Sequence, residues 1–246
     1  MKVTAINDEI ADTFENQLNV LIDNKINFIE LRKINNKYLY ELEQEELKKI
    51  RVLLQEKNIQ ISMLDTPIGK NKFNLDDELL ILKKYFFLAK YFNCFSLRLF
   101  SDLSDAILKF LKEQKENDYR IYIENEKNTL FTNLDWFKKN KLLNNFNILL
   151  DIENYYYDNE EYLEDCGKYF NKIDYIHIRD YDKKNNKYTF LGKGDLKIKQ
   201  LILILKKSNF GGFLSIESHL PMEYKYDKQL LFNHNLEELK ESGVLK

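Results

Sequence analysis

Residues 146–180 read FNILLDIENYYYDNEEYLEDCGKYFNKIDYIHIRD. A short β-type run ends at Asp151, a helical stretch over 158–170 follows, and a second β-type run carries His177. Working outward in both directions, the same unit recurs. Strand candidates lie at VTAIN (3–7), NFIELR (27–32), IQISMLD (59–65), FSLRLF (95–100), RIYIEN (120–125), FNILLD (146–151), DYIHIRD (174–180) and GFLSIES (212–218). Helical stretches separate them. In YLYELEQEELKKIRVLLQEK (38–57), Leu42, Leu47, Ile50, Leu53 and Leu54 recur at helical spacing. Others are DDELLILKKYFFLAKYF (76–92), DLSDAILKFLKEQ (102–114), NLDWFKKN (133–140), DLKIKQLILILKKS (195–208) and KQLLFNHNLEELKES (228–242).

Strands alternating with helices imply parallel pairing, because each parallel connection needs a crossover. The 246 residues suit one closed barrel, a fold of typically about 250. With seven Gly, two Pro and no Ser/Gly/Pro linker, nothing divides the chain. The expectation is a single-domain (β/α)8 TIM barrel spanning residues 1–246.

Strand parity says which faces look inward. Side chains two apart share a face of a strand. Ile29 and Leu31 oppose Glu30 and Arg32; Leu97 and Leu99 oppose Ser96 and Arg98. Ile121 and Ile123 oppose Tyr122 and Glu124, and Ile176 and Ile178 oppose Tyr175, His177 and Arg179. Leu214 and Ile216 oppose Ser215 and Glu217. The aliphatic faces should pack on the helices and the polar faces should line the barrel. An isolated buried charge is very costly, so charges inside must be paired, hydrated or given a metal. Glu30 and Arg32 read as one such structural pair.

Glu124, Asp151, His177 and Glu217 end four successive strand candidates, at steps of 27, 26 and 40 residues. In a barrel those strands lie side by side, and their C-terminal ends meet on the face where barrel enzymes place their chemistry. Three carboxylates and one imidazole make a hard, oxygen-rich donor set. It suits Mn²⁺ or Mg²⁺ first, then Zn²⁺, Co²⁺ or Fe²⁺.

The chain resembles the xylose-isomerase-like barrel superfamily, in particular its sugar phosphate isomerase/epimerase branch. The matching pieces are INDEIADTFENQL, FIELR, TPIGK, LRLFS, IYIENEK, LLDIEN, YIHIRD, LGKGD and FLSIESHL, in family order over nearly the whole chain. The resemblance implies one divalent metal ion on Glu124, Asp151, His177 and Glu217, and a sugar or sugar-phosphate substrate. It also implies a mechanism in which a metal-bound carbonyl is enolised through an enediolate, with Glu124 and Glu217 taking and returning the α-proton. Two other outcomes stay open. One is dehydration of a keto-polyol of the inosose type; the other is non-catalytic binding of a small polyol. An AP-endonuclease-like hydrolase ranks last. That branch carries a histidine three residues past the strand-6 aspartate, where this chain has Asn154, and His177, His219 and His234 are too few for its three-metal cluster.

Further site candidates follow. Lys70 in TPIGK and Arg98 are expected to contact substrate, Arg98 alternatively to hold Glu124, and Asn154 to bond a substrate hydroxyl. Asp180 is expected to support the metal histidine. Asp195 in LGKGD reads as a helix cap, or the loop's N–H groups as an anion holder. Tyr155, Tyr156 and Tyr157 could wall the pocket. His219 reads as a loop residue and His234 as peripheral.

Composition removes other classes. A net charge of −2 gives no bias toward nucleic acid or anionic membrane. Cys94 and Cys166 form no CxxC and read as two reduced thiols. MKVTAINDEI has no signal-peptide core and no run reaches a membrane span, so a cytoplasmic chain is expected. A homo-oligomer is compatible with the resemblance, though no apolar stripe specifies one.

Overall fold

The computed structural model describes residues 1–70, 72–115, 118–127, 129–131, 146–158, 162–164, 173–219 and 228–245. All eight expected strands are present. They are β1 (Lys2–Ala5), β2 (Phe28–Leu31), β3 (Gln60–Asp65), β4 (Ser96–Leu99), β5 (Arg120–Glu124), β6 (Asn147–Asp151), β7 (Ile173–Ile178) and β8 (Phe213–Ile216). They form one sheet in which sequential neighbours pair in parallel from β2 through β8, and β1 pairs with β8. A single parallel bridge between Ile6 and Glu30 joins β1 to β2 and nearly closes the barrel.

Helices follow the strands. They are α1 (Phe14–Asp23), α2 (Gln44–Glu56), α3 (Leu75–Phe92), α4 (Asp105–Lys115), α5 (Ile152–Asp158), α6 (Ile198–Lys207) and α7 (Lys228–Glu241). Local chemistry sets their ends. Thr13 Oγ1 accepts from Asn16 N at the start of α1, and Asn74 Oδ1 from Asp77 N at the start of α3. Asn93 ends α3 at φ +54°, a left-handed conformation that asparagine tolerates. The helix expected over 38–57 begins only at Gln44. Tyr38 instead belongs to a small hairpin (Lys33–Ile34 with Lys37–Tyr38), and Leu39–Glu41 form a 3-10 turn. The helix expected over 133–140 and most of that over 158–170 lie outside the described residues.

Parity holds. The aliphatic faces, including Ile29, Leu31, Leu97, Leu99, Ile121, Ile123, Ile176, Ile178, Leu214 and Ile216, are buried against the helix layer in one large core. The interior has two levels. Met63, Tyr122, Leu149 and Tyr175, with Phe213 against them, form an apolar floor. Above the floor, toward the C-terminal ends, the lining turns to charged side chains. Gly69 in the β3–α3 loop is needed for shape: its φ is +83°, and a Cβ there would lie 2.3 Å from Phe100 O.

Candidate metal centre

The four strand-end residues come together. Ligand-type atoms of Glu124, Asp151, His177 and Glu217 all lie within 4.8 Å of one another, and all four residues are buried. His177 stands at the centre. Its Nδ1 is 3.0 Å from Glu124 Oε1 and 3.5 Å from Glu217 Oε2, and its Nε2 is 2.8 Å from Glu30 Oε1.

Three arginines surround the carboxylates. Arg98 pairs with Glu124 at 2.8 Å and with Asp65 at 3.0 Å. Arg179 lies 2.6 Å from Asp151, 2.8 Å from Glu153 and 3.3 Å from Glu217. Arg32 reaches Asp8 at 2.9 Å, Glu9 at 2.8 Å and Glu217 at 3.4 Å. The expected Glu30–Arg32 pair is therefore corrected. β2 ends at Leu31, so Arg32 leaves the sheet toward the loop after β1, while Glu30 stays inside against His177.

The charges shift one another. Burial alone would raise Glu124 and Glu217; Arg98 and His177 for the first, and Arg179 and His219 for the second, instead bring both below the usual carboxylate range. Burial raises Asp151 to about 8; Arg179 opposes this, and Glu217 and Glu124 reinforce it. Burial would lower His177, but Glu30 and Glu124 raise it well above the ordinary imidazole value.

This donor set fits a divalent cation. Asp151 Oδ2 and Glu217 Oε2 are buried without a hydrogen-bond partner; the Arg179 guanidinium flanks both, and His177 Nδ1 lies 3.5 Å from the second. Burial, which raises Asp151 first of all, and the neighbouring Glu217 and Glu124 leave its charged form short of compensation despite Arg179. An ion of charge +2 would stabilise the ionised acids and displace the protons from Asp151 and from His177 Nδ1. A second group, Glu9, Glu217 and His219, also brings ligand-type atoms together. There Arg32 already neutralises Glu9 and Glu217, and His219 pairs with Glu9 at 2.7 Å and with Glu217 at 3.2 Å. His219 is thus drawn into the site rather than left as a plain loop residue.

A cavity of about 230 Å³ opens over the centre. Glu124 and Glu217 line it; Asp151 and His177 do not. Its wall also carries Arg32, Lys33, Lys70, Arg98, Phe100 and His219. Lys70 stands there in a 2.7 Å pair with Glu126, and Arg98 reaches it while holding Glu124.

Two expected contacts need correction. Asn154 is buried and off the cavity wall; its side-chain amide donates to Asn125 O at 3.1 Å and its backbone N–H to Asp151 Oδ1 at 3.0 Å. α5 begins directly after Asp151, and this first turn ties Asn154 to the chain instead of presenting it to substrate. Asp180 bonds none of the four residues. Its carboxylate accepts from the N–H groups of Tyr181, Gly192, Gly194 and Leu196 at 2.9–3.1 Å. The LGKGD loop does hold an anion, and that anion is the protein's own Asp180. A Cβ on Gly194 would meet Asp180 Oδ1 at 2.3 Å. Asp195 caps no helix; its side chain accepts from Lys183 N. Of the tyrosine run, Tyr155 is buried in the main core, away from the cavity wall. The side chains of Tyr156 and Tyr157, and Cys166, lie outside the described residues. His234 is half exposed and pairs with Glu237.

Sequence reasoning missed Asp65, Glu153, Asn125 and the role of Arg179. Arg179 shares the face of His177 by parity, which was a usable signal. Asp65 ends β3 as the four ligand candidates end theirs. Burial, with Glu30 nearby, drives it well up despite Arg98. Asn125 has no pattern to betray it: its amide exchanges two hydrogen bonds with the backbone of Asp151, at 2.7 and 2.9 Å.

None of the curated protein sequences matches the chain. Among solved structures, a probable 3-DHS dehydratase of Bacillus anthracis superposes with a TM-score of 0.78 at 16% identity, covering 98% of this chain and 99% of that one. The IolI protein with a bound zinc atom gives 0.77 at 14% identity, covering 98% of each chain. The 3-keto-D-glucoside 4-epimerase of E. coli gives 0.73 at 12% identity, covering 98% and 99%. At these identities the likeness is one of fold. The model of the xylose isomerase-like TIM barrel family matches residues 20–241, and the chain belongs to that family.

Proposed function

We propose that this protein is a divalent-metal-dependent isomerase or epimerase of a small sugar or sugar phosphate, working by removal of the proton α to a carbonyl. The observation that carries this reading is the pair Glu124 and Glu217. They belong to the β5 and β8 ends, both approach His177 Nδ1, and they are the two ligand candidates that face the cavity.

A divalent ion on Glu124, Asp151, His177 and Glu217 supplies Lewis-acid polarisation of the substrate carbonyl. The hard donor set favours Mn²⁺ or Mg²⁺. The protein's own groups do the rest. One glutamate accepts the α-proton, and the other can return it from its own side, as epimerisation requires. Aldose–ketose isomerisation needs only one of them. Arg98 holds Glu124 on the oxygen that does not face His177, so the remaining oxygen keeps a fixed direction. Lys70 and Arg98 are proposed substrate contacts, since both reach the cavity.

The test is proton exchange into D₂O over a panel of ketoses, aldoses and their phosphates, with metal added or chelated. Exchange should need metal and stop in Glu124→Gln or Glu217→Gln. Full exchange in both variants, or in chelated protein, refutes the mechanism.

His219 favours one second reading, dehydration. It lies on the cavity wall and pairs with Glu217. Burial would lower its pKa, but Glu9 and Glu217 raise it to about 9, so it holds a proton that a departing β-hydroxyl could take. Product analysis separates loss of water from isomerisation.

A further inference from the structure

Glu30 has no part in the chemistry above, yet it is fully buried at the centre of the barrel. Its two oxygens are used differently. Oε2 accepts from Tyr175 OH at 2.8 Å and from Ser215 Oγ at 2.5 Å. Oε1 lies 2.8 Å from His177 Nε2, and the Asp65 carboxyl group also stands beside Glu30. Tyr175 OH is in turn bonded to Ser62 Oγ, and Ser62 Oγ to Thr4 Oγ1, so side chains from β1, β3, β7 and β8 converge on this carboxylate. An ionised carboxylate is an acceptor on both oxygens. Nε2 must therefore carry the proton.

We infer that Glu30 is the positioning residue of the metal centre: it fixes the His177 proton on Nε2 and so turns the Nδ1 lone pair toward the metal. This inference rests on the metal reading of the site. The geometry supports it on the other side of the ring, where Nδ1 points at Glu124 and Glu217, two of the ligand candidates. A carboxylate behind a ligating histidine raises its basicity and sets its orientation, and losing such a partner typically costs about 10–100-fold in metal affinity. Here the partner comes from β2, on the opposite arc of the barrel from the four ligands.

Glu30→Gln keeps the shape and removes the charge. Its carbonyl oxygen can still accept from Nε2 while its amide turns to the hydroxyls of Tyr175 and Ser215, so what the ring loses is the negative charge that raises its basicity. Two measurements test this on the full chain, with zinc as a diamagnetic probe. The first is ¹⁵N–¹H spectroscopy of His177 in zinc-loaded native protein. The proton is expected on Nε2 and zinc on Nδ1; the reverse overturns the inference. The second is zinc affinity by calorimetric competition. A loss of about 10–100-fold is expected in Glu30→Gln, and a loss of less than about fivefold overturns the inference. Should the variant not fold, the native spectrum decides alone. Native protein that takes up no zinc refutes the metal reading and this inference together. Zinc bound through Nδ1 with no proton exchange on any sugar refutes the proposed activity and leaves the role of Glu30 standing.

Discussion

Arg179 Nη2 lies 2.6 Å from Asp151 Oδ2, and the other oxygen of Asp151 is already taken by the backbone N–H groups of Glu153 and Asn154. A metal bound by Asp151 must therefore share Oδ2 with a guanidinium. Arg179→Met removes that competitor. The variant should lose about 3 kcal/mol or more without metal, since it leaves buried carboxylates unpaired, and should bind Mn²⁺ more tightly. Melting curves with chelator and with Mn²⁺ measure both effects: a lower baseline and a larger metal-induced rise. Weaker Mn²⁺ binding in the variant would rule out the competition.

Asp180 gathers four backbone N–H groups. Asp180→Ala leaves them without an acceptor, at about 1–3 kcal/mol for each group that stays buried. Hydrogen exchange should accelerate at Gly192, Gly194 and Leu196, while α1 and α3 keep their protection. Asp180→Asn retains one acceptor oxygen and should fall between. Unchanged exchange in the loop would show that the carboxylate does not hold it.

Gly69→Ala combines a positive φ with a steric overlap against Phe100 O. It should destabilise the protein by about 2 kcal/mol or more, measured by urea unfolding. It should also raise KM more than it lowers kcat, because the adjacent Lys70 lines the cavity and lies outside the chemistry. A wild-type unfolding midpoint would show that the loop can rearrange freely.

Cys94 is only 4% exposed, and burial pushes its thiol up to about 12. In a Cys166→Ser background, Cys94 should resist a thiol reagent at pH 8 and react only as urea unfolds the chain. The sign for stability follows. The folded state favours the protonated thiol, so this contribution is intact below the unfolded value near 9 and fades as pH climbs toward 12. Fast labelling of the native protein at pH 8 would contradict the burial.

The architecture was legible because it is written in two simple periods. Alternation placed all eight strands, and inward parity brought Glu124, Asp151, His177 and Glu217 to one point. Pairings between distant strands were not legible. Glu30 and Arg32 stand two apart in sequence, and parity gave them to each other. The end of β2 at Leu31 separates them, and each finds its partners on β7, on β8 or in the loop after β1. Asp180 failed for a related reason. A chain position next to a ligand histidine says nothing about where a hairpin turns, and Asp180 opens the short hairpin with Lys187–Thr189 that carries it away. Asn154 was misread because α5 starts without a loop.

The barrel has one seam. Elsewhere neighbouring strands share ladders of at least two residue pairs, but β1 and β2 meet through a single bridge at Ile6 and Glu30. The side chain of Glu30 spans the interior to His177, Tyr175 and Ser215, and Arg32 ties the end of β2 to Glu9 and Glu217. The ionic network thus acts as a hoop across the place where the ring would open. A change of charge made to retune the centre also loosens the hoop, so in this barrel reactivity and roundness cannot be redesigned separately.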